Sequence, residues 1–320
     1  MIDYQKESEN LIKKLDFIRE KDFRSAPKFG YFIIKGRIGN EDVVLRISPQ
    51  FDGEKKEKIF REKLASDILG DQLVAKILDS GENQTFIWSI RKYYSEKTLS
   101  VDSTSEELFH NNDIIKNEFL PESEKIISEL ARKLKIIQES DWPRNFDGRL
   151  KSKKFPTSLD EIDRSLIEKS TSVNSQKLGK FFLEKEKIYF NKKDLVPCLG
   201  DMSLANILIK TDEVLFYDLE YFCIDQNSID IAYLWNYLWR YPKWQEKLLD
   251  LMISDENSKI KFRFSLIRVI LGIYNEGLLA YQRNSNEVIL EEKINLYKNH
   301  ISGRYIAAAV ESFEALTEVK

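Results

Sequence analysis

The sequence predicts an α+β fold, with strands gathered in the first 95 residues and helices making up most of the rest. Two observations support this prediction. Runs rich in β-branched and aromatic residues, at 29–34, 42–47 and 84–94, are bounded by turn residues and predict strands. Longer stretches with apolar residues every three or four positions predict helices at 57–69 and 122–139. Strands and helices are therefore segregated along the chain, which is typical of α+β proteins.

The N-terminal part is predicted to open with a helix and to continue with strands around the helix at 57–69. Apolar residues at helical spacing place the first helix at 3–21. A turn at 39–41 joins the first two strands, and a further strand-like run at 72–80 precedes the strand at 84–94.

From residue 96 onward the pattern is mainly helical. Besides 122–139, helices are predicted at 158–166, 175–187, 233–239, 259–283 and 287–316. The exception is a pair of short apolar runs, Ala-Asn-Ile-Leu-Ile and Val-Leu-Phe-Tyr, joined by the polar turn 210–213. These two runs predict a β-hairpin within the helical part.

Composition excludes several classes of function. The formal net charge of −3 gives no general attraction to nucleic acid or to anionic membranes, so neither is expected as a partner. No run of about 20 apolar residues occurs, and the two cysteines, Cys198 and Cys223, fit a reducing compartment. We therefore expect a cytoplasmic protein. With only two histidines, a His-rich metal site or a Ser-His-Asp arrangement is not expected.

The most informative segment is 198–232, where three acids and one amide stand at fixed intervals. Asn206 follows Asp201 by five residues, Asp218 comes twelve later, and Asp230 another twelve later. A short hairpin brings its two ends together. We therefore expect Asp201, Asn206 and Asp218 around one small volume. Asp230 is expected either to cap the following helix or to steady the loop that carries Asp201.

These residue types suit phosphoryl transfer. Asn206 and Asp218 offer oxygen ligands for Mg²⁺, which takes one or two protein groups beside phosphate oxygens. Asp201 lies outside that pair and can accept a hydroxyl proton, which is the division of roles in kinases. The alternative is purely structural, because Asp and Asn are common in turns.

The segment also resembles a known family. Gly200-Asp201-x4-Asn206-Ile207-Leu208, Asp218-Leu219-Glu220 and Asp230-Ile231-Ala232 resemble the signature of aminoglycoside phosphotransferase and choline kinase-like enzymes. The resemblance implies a protein-kinase-like fold, with a small antiparallel-sheet nucleotide lobe at 1–95 and a larger, mostly helical lobe at 96–320. It implies ATP and Mg²⁺ as cofactors and Asp201 as the catalytic base. Leu199 stands where the family has a histidine.

The same resemblance assigns nucleotide-binding residues. Arg46, in Val-Val-Leu-Arg-Ile-Ser, resembles the strand residue that meets the phosphates, and Glu62 is its expected ion-pair partner. Tyr93 lies in the expected hinge segment, whose backbone binds the adenine. The alternative for Arg46 and Glu62 is a pair of solvent-facing charges.

The acceptor is predicted only as a small molecule with a hydroxyl group. Glu220, Tyr221 and Trp235 are the candidate acceptor residues. Asp218-x-Glu220-Tyr221 resembles choline and ethanolamine kinases, and the resemblance implies that Tyr221 lines an ammonium site. Glu220 offers a carboxylate to an aminoglycoside, and Trp235 offers an aromatic face to an ammonium group. An amino alcohol such as choline, an aminoglycoside and a sugar all stay open, and core packing is the alternative for Trp235. The alternative function is a weakened, kinase-like nucleotide-binding protein, suggested by Leu199, by Gln138 in place of a second family histidine, and by a glycine-poor loop at 24–30. The oligomeric state is left open.

Overall fold

The computed structural model describes residues 2–101, 113–142, 150, 194–210 and 213–283. The predicted helices at 158–166, 175–187 and 287–316 lie outside these residues. The described part contains both predicted kinds of element. Its strands are β1 Ile18–Ala26, β2 Tyr31–Ile38, β3 Glu41–Pro49, β4 Ile77–Glu82, β5 Phe86–Lys92, β6 Lys97–Thr98, β7 Leu195–Cys198, β8 Ile207–Lys210, β9 Glu213–Phe216 and β10 Cys223–Gln226. Its α-helices are α1 Tyr4–Lys14, α2 Gly53–Leu69, α3 Ser123–Glu139, α4 Ile229–Tyr237, α5 Pro242–Met252 and α6 Glu256–Arg283.

The N-terminal region is a five-stranded antiparallel sheet in the order β1-β2-β3-β5-β4. One sheet face packs on α1, where Leu11 contributes to a core with Ile34, Leu45 and Ile90. Because side chains alternate along a strand, Arg46, which faces Ser89 across β3 and β5, lies on the opposite face. The small antiparallel sheet with one main helix, α2, confirms the predicted fold class for this region.

The largest differences from the predicted boundaries lie at the first helix and at the run 72–80. The helix predicted at 3–21 ends at Lys14, because Asp16 turns the chain in a left-handed conformation with φ of 49° and Ile18 then enters β1. β1 can approach β2 because Gly36 has no side chain: a Cβ there would meet the Ile18 carbonyl oxygen at 2.1 Å. The run predicted as a strand at 72–80 begins as a turn, and β4 starts at Ile77.

The C-terminal region is mainly helical and has a larger apolar core. Residues of α3, α4, α5 and α6 pack with the short strands in one cluster, which includes Leu130, Leu134, Leu234 and Ile270. Ala65 and Leu69 of α2 also belong to this cluster, so α2 packs against both regions. No described helix is both long enough and apolar enough to cross a membrane.

Two small strand assemblies carry the predicted functional segment. The predicted hairpin is present as β8 and β9, with β6 added beside β8. Strand β7, just before Gly200, pairs with β10, just after Tyr221, so that Cys198 lies opposite Cys223. Both cysteines are buried free thiols. This pairing brings the segment before Asp201 beside the segment that follows Asp218.

Candidate active site

The turn that carries Asp201 is fixed by backbone contacts. Gly200 has φ of 74°, and a Cβ at this position would lie 2.2 Å from the Tyr221 carbonyl oxygen. Glycine is therefore required both for its conformation and for the close approach of the two segments. The result is that Asp201 is held at the point where β7 ends.

Asp230 stabilises this turn by hydrogen bonds to its backbone. Its buried carboxylate accepts hydrogen bonds from the Leu199 N–H at 2.7 Å and the Gly200 N–H at 3.0 Å. Burial raises the pKa of Asp230 to about 6, although the two N–H groups act in the opposite direction. Of the two roles predicted for Asp230, the structure confirms that of steadying the loop. Leu199, in place of the family histidine, is itself buried in the large core.

Asp201 and Asn206 are brought together. The Asp201 Oδ1 accepts from the Ser203 N–H at 3.2 Å, and the Asn206 Nδ2 donates to the Asp201 backbone oxygen at 3.3 Å. Because the Nδ2 is used in this way, the Oδ1 of Asn206 is the end of the amide that is available to a ligand.

Asp218 joins them from the other strand of the hairpin. The Tyr217 N–H donates to the Asn206 carbonyl oxygen at 3.1 Å, which places Asp218 one residue from that contact. Asp218 has φ of 58°, a conformation that non-glycine residues rarely adopt and that is concentrated at functional sites. Its side chain is 38% exposed. Partial loss of hydration, with the charges of Glu220 and Glu62, raises the pKa of Asp218 above its usual range, while Arg91 lowers it.

Arg46 is buried and contacts two acids. Its Nη1 lies 3.7 Å from Glu62 Oε1, whereas its Nη2 donates a hydrogen bond of 2.9 Å to Glu220 Oε2. Glu62 is 1% exposed, and neither of its carboxylate oxygens has a hydrogen-bond partner among the described residues. The alternative of solvent-facing charges is therefore wrong, and the close partner of Arg46 in this state is Glu220.

Arg91 is a site residue that the sequence analysis missed. Its Nη1 lies 3.4 Å from Glu62 Oε1 and 3.9 Å from Asp218 Oδ1. The only signal in the sequence is its strand position: Arg91 follows Ser89 by two residues and so shares the sheet face of Arg46. That signal needs the β3–β5 register, which the sequence does not supply.

Lys58 of α2 contacts two of the predicted acceptor residues, Glu220 and Tyr221. Its Nζ lies 3.1 Å from Glu220 Oε1 and 3.1 Å from Glu54 Oε1, and it stands 4.9 Å from the centre of the Tyr221 ring. Burial alone would raise the pKa of Glu220, but Arg46 and Lys58 outweigh it and lower that pKa. Glu220 and Tyr221 thus already surround an ammonium group that belongs to the chain.

The other two predicted binding residues have structural neighbours of their own. The Tyr93 ring stacks on Phe23 and has the Lys35 Nζ 4.3 Å from its centre. The backbone N–H of Tyr93 donates to the Asp42 carbonyl oxygen. Trp235 meets Phe262 of α6 edge-on, with ring centres 5.8 Å apart. Trp235 therefore takes part in helix packing.

The donor set fits a magnesium ion that arrives with a nucleotide. Within the described ranges no three His, Cys, Asp or Glu side chains are grouped closely enough to hold a metal by themselves. Asn206 and Asp218 supply two oxygen ligands, and Mg²⁺ commonly takes its remaining ligands from phosphates and water. The two residues could therefore hold Mg²⁺ together with a bound polyphosphate.

Comparison with known proteins identified the fold. No family model matches the sequence, and a search of curated proteins found no match. Among solved structures, ethanolamine kinase from Plasmodium vivax matches with a TM-score of 0.52 and 16% identity, covering 96% of this chain and 83% of that one. Aminoglycoside phosphotransferase APH(3'')-Id from Streptomyces rimosus, in complex with ADP and streptomycin, matches with a TM-score of 0.54 and 13% identity over 85% and 99% of the two chains.

Choline kinase LicA from Streptococcus pneumoniae is a third match, with a TM-score of 0.53 and 12% identity over 98% and 99% of the two chains. At these identities the likeness concerns the fold alone. The chain has the protein-kinase-like fold that these small-molecule kinases share, as the sequence resemblance predicted.

Proposed function

We propose that the protein transfers the γ-phosphate of ATP, with Mg²⁺, to a hydroxyl group of a small molecule. The observation that supports this most strongly is the arrangement of Asp201, Asn206 and Asp218. Asn206 is hydrogen-bonded to the Asp201 backbone and, through Tyr217 N–H, to the strand that presents Asp218. The strained backbone of Asp218 supports a functional role for this residue.

Each residue has a defined task in this proposal. Asp201 orients the acceptor hydroxyl and takes its proton as the oxygen attacks the phosphorus. Asn206 and Asp218 hold Mg²⁺, which, when bound, neutralises charge on the phosphates. Arg46 contacts the phosphates and Glu62 positions Arg46, while Tyr93 borders the nucleotide base. The nucleotide lies between a lobe formed by residues 1–95 and a lobe formed by 96–320.

The acceptor is an amino alcohol, an aminoglycoside or a sugar, in line with the compounds named for the matched kinases. Glu220, Tyr221 and Trp235 remain the proposed acceptor residues. An acceptor ammonium group at Glu220 and Tyr221 has to replace Lys58, which occupies that position now. A sugar hydroxyl does not need this exchange.

A direct assay tests the proposal. Purified protein is incubated with ATP, MgCl₂ and separate panels of amino alcohols, aminoglycosides and sugars, and ADP release is measured. One class should stimulate release, and Asp201→Asn should lower it by about 10²–10⁴-fold because the general base is lost. Asp250→Asn, an exposed aspartate on α5, is the matched control and should retain activity.

A nucleotide-binding protein without catalysis is the second candidate. It is favoured by Arg46, whose hydrogen bond goes to Glu220 while Glu62 has no hydrogen-bond partner among the described residues. The acceptor assay separates the two, and thermal melting with ATP tests the metal site that the enzyme needs. A working site should give a Mg²⁺-dependent rise in melting temperature that Asp218→Ala removes. Absence of that rise, together with no active acceptor, would overturn the proposed enzyme.

A further inference from the structure

We propose that Arg91 is the internal counter-ion of Asp218, competes with the metal for it, and thereby limits how strongly nucleotide binding depends on metal. In this role Arg91 is a positioning residue. The inference rests on the proposed function, since it concerns how Mg²⁺ and nucleotide reach the same site. It adds a determinant that the sequence motifs do not assign.

The location of Arg91 connects three parts of the site. It is the penultimate residue of β5, lies opposite Val44 of β3, and shares the sheet face of Arg46. From there its guanidinium reaches Glu62 on α2 and Asp218 beyond β9. One side chain thus links the sheet, the main helix and the proposed metal ligand.

The positive charge of Arg91 is shared between two acids, Glu62 and Asp218. The Arg91 side chain is 14% exposed, and its Nη1 lies between Glu62 Oε1 at 3.4 Å and Asp218 Oδ1 at 3.9 Å. Its Nε has no hydrogen-bond partner among the described residues. Within the described part of the chain, Arg91 is the only basic residue in an ion pair with Asp218. Arg91 therefore holds Asp218 by charge rather than by a fixed hydrogen bond.

Each of the three inner acids of the cluster already has a cation of the chain beside it. The carboxylates of Glu62, Asp218 and Glu220 are matched by the cations of Arg46, Lys58 and Arg91, with the exposed Glu54 at the rim. A divalent ion that binds alone leaves an excess of positive charge beside Arg91. A divalent ion that binds with a polyphosphate leaves no such excess, because the phosphate charges compensate both the ion and Arg91. Arg91 therefore competes with the metal for Asp218, and it offers the phosphates a positive charge when no metal is bound.

Removing the charge of Arg91 should change the metal dependence in a defined direction. The metal factor is the Kd of a non-hydrolysable ATP analogue in EDTA divided by its Kd in MgCl₂. In Arg91→Met the phosphates lose a cation, so binding in EDTA weakens, while Asp218 is freed for the metal. We expect the metal factor to rise by about tenfold, since a unit charge within a few ångströms acts strongly in a partly buried site.

The experiment measures the metal factor by isothermal titration calorimetry in wild type, Arg91→Met and Lys133→Met. Lys133 is a buried cation of α3 whose Nζ donates to the Gln72 carbonyl oxygen, so it matches the loss of a buried charge away from the site. Lys133→Met should keep the wild-type factor. An unchanged factor in a folded Arg91→Met would overturn the inference while leaving the proposed function intact.

A second variant, Glu62→Gln, should change the metal factor in the opposite direction. This test does not depend on whether Arg91→Met folds. In Glu62→Gln, Arg91 loses its other acid and pairs with Asp218 alone, so the metal factor should fall below that of the wild type. A rise or no change in Glu62→Gln would contradict the inference. If the wild type binds no nucleotide in MgCl₂ at all, the proposed function fails and this inference fails with it.

Discussion

Asp230 has two opposite effects. Its hydrogen bonds hold the loop in place, whereas its burial lowers the stability of the fold. It satisfies two backbone N–H groups at the turn before Asp201, yet burial raises its pKa to about 6. A buried carboxylate is costly even when hydrogen-bonded, because it loses its hydration. The residue therefore serves the geometry of the site more than the stability of the fold.

Replacing Asp230 by Asn separates these two effects. The amide can accept from only one of the two N–H groups, so we expect the turn to shift and phosphotransfer to fall by at least about tenfold. The folded-state pKa of Asp230 is raised, so wild-type stability falls as pH rises from about 4 to about 6. Relative to Asp230→Asn, the wild type should lose up to about 3 kcal/mol in free energy of unfolding across that window.

Denaturant melts of both proteins at several pH values check this prediction. Titrations of other groups are common to both proteins and cancel in the difference. If the free energy of unfolding of the wild type minus that of Asp230→Asn increases with pH or stays constant, the raised pKa is contradicted.

Gly200 is the second residue on which the turn depends. Gly200→Ala places a Cβ against the Tyr221 carbonyl oxygen in a left-handed conformation, so backbone atoms must move. We expect a loss of about 2–4 kcal/mol and of most activity. Gly39→Ala is the matched control: its φ is 58° but its Cβ meets nothing within 4 Å, so about 1 kcal/mol is expected. Equal losses in chemical denaturation would show that the close approach to Tyr221 is unimportant.

At the scale of elements, α6 is attached to the strand that follows the site. Arg268 of α6 forms two hydrogen bonds with Asp225 of β10, at 2.8 and 3.0 Å, and both side chains are buried. Ser265 and Ser228 add a buried hydrogen bond of 2.8 Å. Since β10 pairs with β7, this attachment supports the strand that leads to Asp201.

Breaking this ion pair on one side should be costly. Arg268→Leu leaves the Asp225 carboxylate buried without its partner, so we expect a loss of about 3–5 kcal/mol. The double variant Arg268→Leu, Asp225→Leu should recover part of that loss, because no buried charge remains. Arg132→Leu, which removes the exposed Arg132–Glu129 pair of α3, should cost under about 1 kcal/mol. Chemical denaturation measures all three, and similar losses for both single variants would contradict the argument.

At the scale of the whole molecule, the apolar side chains form two clusters. The smaller one lies between α1 and the sheet, and the larger one lies among the helices and short strands that follow. Helix α2 contributes Ala65 and Leu69 to the larger cluster while Arg46 and Arg91 of the sheet pair with its Glu62. The charged contacts of the site thus lie where the two regions meet.

A matched pair of core variants tests the proposed division at residue 95. Leu45 of the small cluster and Leu134 of the large one are both fully buried. Leu45→Ala and Leu134→Ala should each cost about 2–5 kcal/mol. If the lobes unfold separately, hydrogen exchange will increase mainly in the lobe that carries the substitution. A uniform increase over both lobes would instead indicate one cooperative unit.

Local patterns were enough to predict the α+β fold class, and spacing along the chain was enough to predict that Asp201, Asn206 and Asp218 lie close together. A short hairpin brings its own ends together, so residues within about twenty positions could be placed from their spacing. The partners of the charged residues follow only from how the elements pack. Arg46 meets Glu220 across 174 positions, and Lys58 meets Tyr221 across 163. Such contacts depend on how α2 and the sheet pack against the hairpin, and neither strand nor helix periodicity contains that information.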